Sequence, residues 1–225
     1  MLAKVNALTK MVVVEDPSGN VGTGLTAHDL ERMAAVLEKK NVLLVIDEAY
    51  LYVEKNHSDN LALIERYSNV ILVRTMSKAY GLAGVRLGVL ISNAALAREL
   101  YKVRSLYELS GVSANITEWH LDHPEILATY QKTIWDGKKY LAEHFKRLGL
   151  ACRDTPANFV IVELDRGNDT ADIAAQLKEK GILIGKAYTL PRLRGWARIT
   201  VGEIKHCRQL ILALEEVLRE RRLAA

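Results

Sequence analysis

The sequence predicts an α/β fold: a mostly parallel sheet with helices on its faces, followed by a smaller α/β unit. Three observations carry this prediction. In the first half of the chain, short β-branched runs alternate with helical spacings, the rhythm of strand–helix–strand connections. A long amphipathic stretch beginning near Glu125 breaks that rhythm, and a second set of strands and helices follows it. The composition, 49% hydrophobic and 26% charged over 225 residues, supplies enough apolar surface for one large or two small cores.

The elements follow in order. Met11–Val14 is a β-branched run, and the residues after it, Asp16-Pro17-Ser18-Gly19-Asn20-Val21-Gly22-Thr23-Gly24, are turn formers. Ala27–Lys39 carries Leu30, Met33, Ala34 and Leu37 at helical spacing, with Thr26 as the cap. Val42–Ile46 is apolar throughout and reads as a buried strand. A helix is expected near Leu61–Tyr67, and strands at Val70–Val73 and Leu87–Ile91. The second half opens with a helix over Glu125–Leu148, apolar at Ile126, Leu127, Tyr130, Ile134, Leu141 and Phe145. Then come a strand at Phe159–Val162, a helix near Ala171–Lys180, strands at Ile182–Ile184 and Ala197–Val201, and a last helix from about Lys205 to Leu223. Two domains are expected, residues 1–123 and residues 124–225, the second including the linking helix.

Charge and composition narrow the function. The net charge is +4, but basic residues interleave with acids, as in Glu215–Arg222, the pattern of a solvated helix face. Two Phe residues are too few for a base-stacking platform, so no nucleic-acid partner is expected. No apolar run approaches the ~20 residues of a membrane helix, and no secretory signal is visible. Cys152 and Cys207 form no metal or disulfide pattern, which suits a cytoplasmic setting. His120-x-x-His123, with Asp122 and Glu125, lies at a helix break before Pro124 and has no further ligand pattern, so no metal is expected. Trp119, Trp135 and Trp196 read as packing residues.

Ligands of open parallel sheets bind beyond the carboxyl ends of the strands, here the loops after Val14, Ile46 and Val73. Gly22-x-Gly24-x-x-Ala27, with Asp47 at the end of the next strand, approximates a dinucleotide fingerprint. Pro17 and its neighbours, however, separate the strand from the glycines. The loop after Val73 is more specific. In Arg74-Thr75-Met76-Ser77-Lys78-Ala79-Tyr80-Gly81-Leu82-Ala83-Gly84-Val85-Arg86, hydroxyls and an arginine suit an anionic phosphate. Lys78 between them suits covalent bonding to a carbonyl.

Ser77-Lys78-Ala79-Tyr80-Gly81-Leu82-Ala83-Gly84-Val85-Arg86-Leu87-Gly88 strongly resembles the cofactor-lysine segment of pyridoxal-phosphate-dependent aminotransferases of fold type I, class I/II. The nearest branch is the histidinol-phosphate aminotransferase group. Asp47-Glu48-Ala49-Tyr50, 31 residues before Lys78, resembles the family's Asp-Glu-Ala-Tyr. Arg198-Ile199-Thr200-Val201-Gly202 resembles its carboxyl-terminal arginine motif, and Ala157-Asn158-Phe159-Val160 also has a counterpart.

The resemblance implies a partial large-domain sheet plus a small carboxyl-terminal domain, with pyridoxal 5'-phosphate as cofactor. It implies Lys78 as the covalent anchor and proton carrier, Asp47 as the partner of the pyridinium nitrogen, and Tyr50 as a donor to the ring oxygen. Thr75, Ser77 and Arg86 would bind the cofactor phosphate, and Arg198, with Asn158, the substrate. The family's Asn-Pro-x-Asn-Pro-Thr-Gly loop is degraded here, leaving either Gly19 or Asn20 at the ring-contacting position. Asn20 is preferred because it offers an amide donor. Lys186, or Arg192 and Arg194, would meet an anionic substrate group. The implied reaction moves an amino group between an amino acid or amino-alcohol phosphate and a 2-oxo acid. The alternatives are a decarboxylase of the threonine-phosphate type and a non-catalytic remnant. The family's upstream phosphate-binding turn has no counterpart in the sequence. A homodimer, or pairing with a missing amino-terminal portion, is therefore expected.

Overall fold

The computed structural model describes residues 1–51, 60–165, 170–185, 188 and 190–224. The chain forms two compact units, one of Met1–Gly19 with Thr23–Ala128, the other of Asn20–Gly22 with Thr129–Ala225.

The first unit is built on a sheet ordered β1 (Met11–Glu15), β2 (Leu43–Asp47), β3 (Val70–Thr75), β4 (Gly88–Ser92). The first three strands are parallel, and β4 runs antiparallel to β3. Successive side chains of a strand point to opposite faces. One face gathers Val12, Val14, Leu44, Ile46, Val70 and Leu72 into a core with helix α1 (Ala27–Glu38) and with Leu63 of helix α2 (Leu61–Arg66). Leu30, Met33, Ala34 and Leu37 are the buried residues of α1, and Thr26 Oγ1 accepts the Asp29 N–H at 3.1 Å, as the capping signal predicts. On the opposite face Met11 and Val13 are 49% and 57% exposed.

Helices α3 (Ala94–Tyr101) and α4 (Gly111–Leu121) complete this unit, capped by Asn93 and Ser110. Neither is anticipated by apolar spacing. In α4 the reason is an inverted pattern: Thr117 and His120 are buried while Val112, Ile116 and Trp119 are exposed.

In the second unit, helix α5 (Pro124–Arg147; from Thr129 in this unit) buries Ile134, Gly137, Lys138, Leu141 and Phe145. Gly137 permits close contact, since a Cβ there would fall 2.6 Å from the Gly202 carbonyl oxygen. The sheet is antiparallel, ordered β5 (Cys152–Arg153), β6 (Phe159–Glu163), β7 (Trp196–Thr200), with helices α6 (Ala171–Glu179) and α7 (Ile204–Ala224). The strand expected at Ile182–Ile184 does not join a ladder; beside it, Gly185 N–H donates to the Arg198 carbonyl at 3.3 Å. These residues instead line a cavity of about 300 Å³ with Leu141, Ile199 and Leu210; Ile182 and Ile184 are half-buried there and Leu183 is 79% exposed. Of the three tryptophans only Trp196 is buried. Trp119 and Trp135 are more than half exposed on the outer faces of α4 and α5.

Candidate functional site

The carboxyl ends of the parallel strands organise the first unit's chemistry. Asp47 ends β2, Thr75 ends β3, and Asp47 is paired in register with Val73. The two-residue repeat of a strand therefore puts Asp47, Val73 and Thr75 on one face, the one away from α1. Asp47 Oδ1 accepts the Ala49 N–H at 3.0 Å and turns the chain toward Tyr50. Lys78 Nζ lies 5.2 Å from the centre of the Tyr50 ring. Gly19 stands against the same ring: a Cβ there would fall 2.6 Å from Tyr50 Cε2. Its N–H is fixed by Glu15 Oε2 at 2.9 Å.

Thr75 Oγ1 accepts the Ser77 N–H at 3.1 Å, which shapes the turn into Lys78, and Gly81 N–H closes that turn on the Lys78 carbonyl at 3.0 Å. Arg86 is exposed, sits at φ +53°, and donates to the Ala83 carbonyl at 3.1 Å.

Beneath these residues lies a buried polar network that the motif reading passed over. Glu48, 1% exposed, accepts from Arg74 Nε at 2.6 Å and from Asn60 Nδ2 at 2.8 Å. Asn60 Nδ2 also lies 3.5 Å from Asp16 Oδ2, while Asp16 Oδ1 takes the Leu25 N–H at 2.7 Å. The Asp16 N–H donates to the Asp47 carbonyl at 2.9 Å, tying the end of β1 to the end of β2. Buried charges must be paired and hydrogen-bonded, and this network meets that need while fixing the loop that carries Tyr50. On α4, buried His120 donates from Nε2 to the Tyr80 carbonyl at 2.9 Å, two residues past Lys78. His123 instead meets the Trp119 carbonyl at 2.6 Å, and among the described residues no group of three His, Cys, Asp or Glu is arranged to hold a metal.

The second unit gathers the remaining predicted residues. Arg198 on β7 lays its guanidinium over the Phe159 ring at 4.3 Å. Asn158 donates from Nδ2 to Tyr130 Oη at 3.1 Å, and its carbonyl accepts the Val201 N–H at 2.9 Å. Asn158 Oδ1 is buried and accepts no hydrogen bond from the described residues. Tyr188 Oη donates to the Asn20 carbonyl at 2.5 Å; burial raises the Tyr188 hydroxyl's pKa, and the charge of Arg198 works against that rise. Asn20 itself is exposed. Arg192 and Arg194 are exposed at a 3-10 turn, Pro191–Leu193, and Lys186 lies outside the described residues. No helix among the described residues is long and apolar enough to cross a membrane.

Comparison with known proteins gives one consistent result. The family model for aminotransferase class I and II matches residues 1–214. Histidinol-phosphate aminotransferase 1 of Psychrobacter arcticus is 32% identical over 218 residues, 96% of this chain and 57% of that protein. Its namesake from Nitrosococcus oceani is 34% identical over 224 residues, 98% of this chain and 59% of that protein. The crystal structure of histidinol-phosphate aminotransferase from Sinorhizobium meliloti in complex with pyridoxal-5'-phosphate superposes with a TM-score of 0.83 at 27% identity, covering 93% of this chain and 57% of that one. The chain thus spans somewhat under three fifths of the length of these relatives. With the motifs, the sheet and the profile in agreement, this chain belongs to the aminotransferase class I and II family.

Proposed function

We propose that the chain provides the cofactor-binding and substrate-binding residues of a pyridoxal 5'-phosphate-dependent aminotransferase of the histidinol-phosphate type. The observation that carries this reading is the approach of Lys78 to Tyr50 in the loops that follow the carboxyl ends of β2 and β3, where Asp47 and Thr75 share a face. The donor set fits the cofactor: an amine for its aldehyde, a carboxylate for its ring nitrogen, a phenol for its ring oxygen, hydroxyls and a guanidinium for its phosphate. The unfilled acceptor Asn158 Oδ1 fits a further donor on a ligand.

When bound, the cofactor supplies a protonated ring that withdraws electrons from the substrate Cα. Lys78 Nζ would anchor it and would serve as the base that carries the substrate's Cα proton. Asp47 holds the proton on the ring nitrogen, because a carboxylate beside that nitrogen favours its charged form. Tyr50 would donate to the ring oxygen, and Asn20 offers an amide donor of the kind that oxygen accepts. Thr75, Ser77 and Arg86 bind the phosphate. Arg198 clamps the substrate's anionic end, a task for a planar fork of donors, and Asn158 orients it.

The substrates on this reading are a small amino donor, an amino acid or amino-alcohol phosphate, and a 2-oxo acid acceptor. The setting is cytoplasmic. Exposed Met11 and Val13 support a covering partner, either a second copy or the region matching the rest of the relatives' length. Product analysis with histidinol phosphate and a 2-oxo acid is the test. A keto product accompanied by the aminated acceptor supports transfer, and release of carbon dioxide means decarboxylation instead.

A further inference from the structure

Lys138 sits in the middle of α5, 6% exposed, in a row with Ile134, Leu141 and Phe145 on the helix's buried face. A buried ammonium is costly unless its donors are met, and an apolar side chain would fill the same space without that cost. The charge therefore has a task, and its partners define it. The ammonium donates to the Thr155 carbonyl and lies 2.9 Å from Asp154 Oδ1. The same carboxylate accepts the Thr155 N–H at 2.7 Å, and the Thr155 hydroxyl donates to the Phe159 carbonyl. Residues 154–159 form a closed turn pinned by Lys138.

Two ligand-facing segments depend on that turn. Asn158 is part of it, with Nδ2 engaged by Tyr130 and Oδ1 open to a donor. Thr155 also seats the loop that carries Asn20. Gly22, at φ +69°, lies so close that a Cβ would fall 2.3 Å from Thr155 Cβ. We infer that Lys138 is a positioning residue whose buried ammonium holds the Asp154–Asn158 turn and, through Thr155 and Gly22, sets Asn158 and Asn20 for ligand binding. This rests on the roles proposed above for those two asparagines.

Amide hydrogen exchange on the parent, Lys138→Met and Asp154→Asn tests the idea without needing activity. In Lys138→Met, exchange over residues 155–158 and 20–22 should rise about tenfold or more, with β7 and α7 unchanged. Asp154 is exposed, so Asp154→Asn keeps the fold and should show the same pattern at about two- to fivefold. A uniform rise across the unit, or unchanged protection in both segments, overturns the inference. If Lys138→Met does not fold, Asp154→Asn alone decides by the same criterion.

With pyridoxal phosphate added, Lys138→Met should keep the cofactor's visible band but need about ten times more histidinol phosphate for half the spectral response. A response unchanged from the parent contradicts the inference. A parent without the band refutes the functional reading and leaves the exchange result to decide on Lys138.

Discussion

Two strands make an instructive contrast, β1 at the edge of the first sheet and β6 in the middle of the second. In β1 of the first unit, burial alternates: Val12 and Val14 are covered while Met11, Val13 and Glu15 are exposed. In β6 of the second unit, Phe159, Val160, Ile161 and Val162 are all buried. The second unit covers both faces of its main strand with its own elements. The first covers one face with α1 and α2; on the other, Met11 and Val13 of β1 are exposed while Ile71 of β3 is buried, and Tyr101, Val103, Leu106 and Tyr107 further along the chain are exposed as well. The residues proposed to hold the cofactor, Asp47 and Thr75, lie on that second face. The exposed apolar residues of β1 and the proposed cofactor residues thus share one side of the same sheet, whereas Asn158 and Arg198, proposed to hold the substrate, border a strand buried on both faces.

Perturbations that remove buried partners should separate the units most sharply. Arg74→Met leaves the Glu48 carboxylate buried and short of its charge partner, and should cost about 3–5 kcal/mol in denaturant unfolding followed by probes of the first unit. Phe159→Ala should cost a similar ~3–5 kcal/mol, read in the second unit, and should also loosen Arg198 from its stacking surface. If either variant destabilised both units equally, the division into separate cores would fail. Gly22→Ala combines a left-handed backbone with a clash against Thr155. It should cost more than about 1 kcal/mol, with hydrogen exchange confined to the second unit.

Cys152 probes the second unit more gently. Burial, then the Asp154 carboxylate, pushes its thiol up to about 11, with Lys138 acting against them. Only the thiolate reacts, so alkylation near pH 8 should be on the order of a hundredfold slower than for an ordinary thiol, accelerating until about pH 11. The same raised value means the folded state retains a proton that the unfolded chain loses above its ordinary thiol pKa. That contribution to stability therefore falls as pH climbs toward 11. The smallest folding effect belongs to the exposed face of β1. Val13→Glu should shift stability by less than about 0.5 kcal/mol, yet weaken any association seen by sedimentation. A large loss of stability would mean that the face is not free in the isolated chain.

How much of this was legible in the sequence depended on the kind of signal. α1 was readable because Leu30, Met33, Ala34 and Leu37 repeat at helical spacing behind Thr26. α4 was not, because it buries Thr117 and His120 and exposes its apolar residues. The Lys78 loop was readable as a string, but the supports beneath it were not. Glu48, Arg74, Asn60 and Asp16 come from four separated segments, and a buried polar network has no periodicity. Lys138 looked like any charged helix residue, since nothing local reveals that its carbonyl partner lies 17 positions away at Thr155. Ile182–Ile184 misled because an apolar run signals a buried strand, whereas here Leu183 is exposed and Ile182 and Ile184 are half-buried at a cavity wall.

The most direct test of the central claim is the absorption spectrum of the purified chain with pyridoxal phosphate, compared with Lys78→Ala. A visible band at about 420 nm is expected in the parent, from cofactor bonded to Lys78, and its loss in the variant. A band of equal strength in both proteins would show that Lys78 is not the anchor and would contradict the proposed site.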